Sequence, residues 1–89
     1  VVETNAYFSE DSVRPICAGP LPPGVHGLIA PHVNNQEMIV EAALNTDKTL
    51  AFQAIFNDPT VNLPIDDAWD MFNDMLAASQ AYLPGWEID

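Results

Sequence analysis

Positive charge is what this chain has least of: Arg14 and Lys48 are its only bases against 13 acidic residues, a net charge of −11 over 89 residues. Such a surface repels phosphate backbones and anionic headgroups, so nucleic acid and membrane surfaces are excluded as expected partners. Cysteine is nearly absent. Cys17 stands alone, no internal disulfide can form, and a cytoplasmic, reducing compartment is the expectation. No apolar run approaches the roughly 18 residues that a membrane helix needs, and no signal peptide is visible. The four glycines are scattered, which leaves neither a phosphate loop nor a G-x-G-x-x-G turn. An initiating methionine is missing too. The chain opens at Val1, inside a strand-like run with no leader, and the expectation is a piece cut from a larger protein.

What is present suffices for one small domain. Hydrophobic residues make up 48 % of the chain, which excludes wholesale disorder. At this length only about 60–65 % of the unfolded surface is buried on folding, so an isolated domain is marginal.

The hydrophobic pattern divides the chain into two strands and three helices. Residues 1–8 alternate, with Val2, Thr4, Ala6 and Phe8 on one face. Ser9-Glu10-Asp11-Ser12 is a polar turn, and residues 13–18 read as a second strand. Pro15, which cannot donate to a ladder, makes that strand an edge. The Gly19-to-Gly24 stretch, with Pro20, Pro22 and Pro23, breaks the pattern. Residues 25–44 then follow a helical period through Val25, Leu28, Ile29, His32, Val33, Gln36, Ile39, Val40, Ala43 and Leu44. Pro31 is expected to bend or split this helix, with Asn34 capping a restarted half and Glu37 completing a capping box. Thr46 or Asp47 caps a shorter helix, with Leu50, Ala51, Ala54 and Ile55 inward. Asn57-Asp58-Pro59 ends it. A last helix starts near Ile65, its first turn carrying Asp66 and Asp67 at the positive end of the helix dipole. Its expected stripe is Ala68, Phe72, Met75 and Ala78 or Ser79, with Trp69 and Leu76 beside it. Pro84-Gly85 follows, and Trp86, with nothing local to pack on, is expected to dock elsewhere. Segregated strands and helices define an α+β class.

Chemistry is sparse. Cys17, His26 and His32 are the only soft metal ligands, and C-x8-H-x5-H fits no closed zinc pattern. There is no G-x-S-x-G. Two carboxylates could converge only if Glu3 on a strand met Glu37 or Glu41 on a helix. Asp66, Asp67, Asp70 and Asp74 read as a solvated helix face, with weak cation binding as the other reading. The Val33-Asn34-Asn35-Gln36-Glu37 cluster places amides inside an apolar helix. Buried amides need partners, so this is expected to be a hydrogen-bonded crossing with a neighbouring element or subunit, with the wall of a polar pocket as the other reading. No catalytic, cofactor-binding or metal residue is assigned to this chain.

The order of short motifs does point somewhere. Val1-Val2-Glu3-Thr4-Asn5-Ala6 is followed by Ser12-Val13-Arg14-Pro15, Gly19-x-Leu21-Pro22, Asn35-Gln36-Glu37 and Glu41-Ala42-Ala43-Leu44. Asp47-Lys48-Thr49-Leu50-Ala51-Phe52-Gln53-Ala54, Asn57-Asp58-Pro59 and Ile65-Asp66-Asp67-Ala68-Trp69 complete the series. Across nearly the whole chain this resembles the carboxyl-terminal end of glycoside hydrolase family 4, within the branch of α-glucosidases, α-galactosidases and α-galacturonidases. Pro31 and Pro64 depart from the family's pattern.

The resemblance implies that residues 1–89 are the C-terminal part of a C-terminal domain like that of lactate and malate dehydrogenases. It also implies a parent hydrolysing O-glycosidic bonds of α-glycosides through NAD and a divalent metal, usually manganese, by oxidation and elimination; this family is an exception to the two-carboxylate rule. The family's glycine-rich loop, metal-binding Cys and His, and tyrosine base lie upstream. No role therefore carries over to Cys17, His26, His32 or Tyr7, and the fragment alone is expected to be inactive and to bind no cofactor. Its implied role is scaffold and subunit interface: the hairpin joins a sheet made by other residues, residues 25–44 pack across that sheet, and part of the 34–41 face meets another subunit of a homo-oligomer. The alternatives are a stand-alone acidic protein–protein interaction module and a small metal-binding domain using Cys17, His26 and His32.

Overall fold

The computed structural model describes residues 3–88, so Val1 and Val2 of the expected first strand lie outside the described residues. The order of elements is β1 (Ala6–Phe8), β2 (Val13–Pro15), α1 (Pro23–Asn45), α2 (Lys48–Phe56), α3 (Ile65–Ser79) and a closing 3₁₀ turn (Gln80–Tyr82). A hairpin followed by three helices is the α+β arrangement expected.

β1 and β2 pair antiparallel, with Ala6 opposite Pro15, Tyr7 opposite Arg14 and Phe8 opposite Val13. The turn closes through the Ser9 amide, which donates to the Ser12 carbonyl at 2.9 Å. Both strands are shorter than the alternation predicts. Beyond Pro15 the ladder is irregular: the Ile16 amide reaches the Asn5 carbonyl at 2.8 Å, and the Thr4 hydroxyl donates to the Ile16 carbonyl at 2.6 Å. A side chain thus replaces a ladder bond near the residue that has no N–H. The hairpin packs on none of the helices, and Tyr7, Phe8 and Val13 are exposed.

α1 starts on Pro23, whose fixed φ suits the first helical position. It then runs unbroken through Pro31. The expected split does not occur, and Asn34 lies mid-helix instead of capping a second half. Pro31 costs one backbone donor, and the carbonyl left over belongs to exposed Gly27, where water can satisfy it. The C-terminus of α1 closes on Thr46 in the left-handed conformation (φ 51°), and the amides of both Thr46 and Asp47 donate to the Ala42 carbonyl. Asp47 caps α2 at once: its carboxylate accepts from the Leu50 amide at 2.9 Å. Of the two caps offered by the sequence, Asp47 holds.

The core is built on both sides of α2. On one side α1 crosses it, with Ala42 and Ala54 buried. Toward α3, Phe52 meets Trp69 edge-on at 4.8 Å and Phe72 at 5.5 Å, and stacks on Phe56 at 5.6 Å. The inner face of α2 therefore includes Phe52 and Phe56, which the expected set of Leu50, Ala51, Ala54 and Ile55 omits. On α3 the buried stripe is Ala68, Phe72 and Leu76, while Met75 is half in solvent. Spacings of four residues keep these three on one line, from which Met75 is rotated away. The tail turns back at Gly85 (φ 86°), where an added Cβ would just touch the Thr46 methyl, and Trp86 is half-buried.

The expected inner face of α1 is the largest correction. The residues of α1 turned from solvent are Asn35 and Ala42, which are buried, and Ala30, Pro31, Val33 and Met38, which are half-buried, whereas Val25, Leu28, Ile29, Ile39, Val40 and Leu44 are exposed. The result is a slab of 44 × 36 × 17 Å with a radius of gyration of 16.7 Å. A compact domain of this length would measure about 12 Å. Asp47→Ala should lower stability by about 1 kcal/mol by freeing the first turn of α2. A urea midpoint unchanged by this substitution would mean the cap contributes nothing.

Candidate functional site

The amide cluster singled out in the sequence is where the structure puts its most constrained polar group. Asn35 is 5 % exposed and lies on α1 facing the C-terminal end of α2. Its Oδ1 accepts a hydrogen bond from Asn57 Nδ2 at 2.8 Å, while its own Nδ2 is buried without a partner among the described residues. Asn57 is the residue after the last turn of α2, so the pair ties the middle of α1 to the end of α2. The expected hydrogen-bonded crossing is present. Asn34, Gln36 and Glu37 point elsewhere and are exposed.

Beside this crossing is a shallow groove of about 450 Å³ lined by Met38, Gln53, Phe56 and Asn57. It offers amides, a thioether and an aromatic ring. Nothing there can act as a nucleophile or exchange a proton near neutral pH. A second hollow, of about 350 Å³, lies between the α1–α2 corner and the tail, lined by Thr46, Lys48, Gly85 and Glu87. Its one cation, Lys48, has its Nζ 5.4 Å from the centre of the Trp69 ring, a cation–π arrangement that explains a base at the first position of α2.

The other candidates are not brought together. Cys17, His26 and His32 are dispersed, and among the described residues no three His, Cys, Asp or Glu side chains are grouped closely enough to hold a metal. Glu3 is on a hairpin that does not touch α1, so it does not converge on Glu37 or Glu41. Asp66, Asp67, Asp70 and Asp74 share the outer face of α3, exposed as expected.

Asp58, just after α2, has a displaced titration. Its carboxylate accepts from the Thr60 hydroxyl at 2.6 Å and the Thr60 amide at 2.8 Å, and these bonds hold it below the ordinary aspartate range. This Asx turn stops the chain after α2. The helix stop expected at Asn57-Asp58-Pro59 is therefore locked by a side chain that proline geometry alone does not reveal; the D-P-T spacing is the signal that could have shown it.

Comparison with known proteins agrees with the motif order. The family model described as "Family 4 glycosyl hydrolase C-terminal domain" matches residues 1–61. An alpha-galacturonidase of Thermoanaerobacter italicus is 52 % identical over 87 residues, covering 97 % of this chain and 19 % of that protein. An alpha-galacturonidase of Bacillus subtilis is 50 % identical over 76 residues, 85 % of this chain and 17 % of its own length. An alpha-galactosidase of the same organism is 32 % identical over 89 residues, 98 % of this chain and 21 % of its length. The chain thus spans about a fifth of the length of the curated relatives it matches. No solved structure gives a significant match.

The Asn35–Asn57 contact can be tested by substitution. Asn57→Ala should cost about 1–3 kcal/mol although Asn57 lies at a helix end, because it strands both polar atoms of Asn35. Adding Asn35→Leu should then recover part of the loss in a double-mutant cycle, and additive costs would show that the pair is not coupled. The Asp58 turn predicts a response to acid. A depressed folded-state pKa contributes stability that is present above the unfolded pKa and is lost as pH falls through the folded value. Thr60→Val, which keeps the amide and removes the hydroxyl, should therefore raise the titration midpoint of Asp58 by NMR, make the stability lost in acid smaller and complete that loss at a higher pH. An unmoved midpoint would remove the hydroxyl as the cause.

Proposed function

The chain belongs to the C-terminal domain family of the family 4 glycosyl hydrolases, and on that footing we propose that it forms the C-terminal part of a glycosidase cleaving α-galacturonides. The observation that carries this reading is identity of about half to proteins named alpha-galacturonidase over most or nearly all of the chain, against 32 % to an alpha-galactosidase. The chain's own part is structural. It supplies a layer of helices and a hairpin that present apolar surface, and the exposed Asn34, Glu37 and Glu41 edge of α1 is the proposed contact with another subunit of a homo-oligomer. The enzyme is proposed to be cytoplasmic; no described helix is long and apolar enough to cross a membrane.

The reaction proposed for the parent is an NAD-dependent oxidation and elimination with manganese. The described residues do not fit either group. There is no glycine-rich turn at a helix start, and no gathered set of ligands. Residues outside this chain would hold both, and the chain alone would be inactive. The stand-alone interaction module has no observation in its favour beyond the absence of chemistry here.

The test is hydrolysis of nitrophenyl α-galacturonide and nitrophenyl α-galactoside by the full-length protein, with NAD and manganese each added or omitted. Turnover of the galacturonide that requires both additions is expected. Turnover of neither substrate, or turnover indifferent to both additions, would overturn the reading.

A further inference from the structure

We draw no further inference here: the strongest candidate, the shallow groove at the α1–α2 crossing lined by Met38, Gln53, Phe56 and Asn57, carries nothing, because the buried Asn35 amide beside it is sealed from solvent and does not line it, and nothing in the structure shows what fills the groove.

Discussion

The packing of α2 between its two neighbours holds the described helices together. On one side, Ala42 and Ala54 are each 1 % exposed, and such small side chains let α1 and α2 approach closely. On the other, Phe52 meets Trp69 and Phe72, pairs that each contribute about 0.5–1.5 kcal/mol beyond their buried area. α1 and α3 do not pack on one another, so the helical core is organised around the nine residues of α2. The consequences for the rest of the slab are direct. α3 can turn its acidic face to water, but α1 exposes Val25, Leu28, Ile29, Ile39 and Val40 around His32 and Gln36 with no partner among the described residues, and the hairpin has two exposed faces.

The parts legible in the sequence are those set by local chemistry. Asp47 and Ile65 mark helix starts where the structure has them, because capping acts over three or four residues, whereas α1 starts at Pro23, inside the proline stretch that reads as a break before residue 25. The α3 stripe is nearly right because that helix has one apolar side, and one side leaves nothing to choose. α1 misleads for the opposite reason. Its periodicity is real, but a helix with two apolar sectors does not say which is nearer to hand, and the sector with Leu28 and Val40 is the richer in large side chains. The sector used within the chain is poorer, with Ala42, Pro31 and a buried asparagine. Asn35 is visible in the sequence as an oddity; its partner Asn57, 22 residues away, is not, since no local rule joins them.

Function is legible only through motif order. The residues with reactive side chains, Cys17, His26 and His32, are dispersed, and the hollows at the α1–α2 crossing and corner are lined by side chains suited to packing and hydrogen bonding. The proposed scaffold role accords with both facts. The polar features that are strongly constrained, the Asn35–Asn57 bond and the Asp58–Thr60 turn, fix how α1 lies on α2 and where the chain leaves it.

The central proposal is that the chain is a structural part of a longer protein, with α1 covered on the side away from α2 by residues outside this chain. It is tested most directly by backbone hydrogen exchange of α1 in the 89-residue chain alone and in the full-length protein. Burial between two layers should slow exchange along residues 28–44 in the full-length protein while the amides of the acidic α3 change less. Equal exchange of α1 in the two proteins would contradict the account.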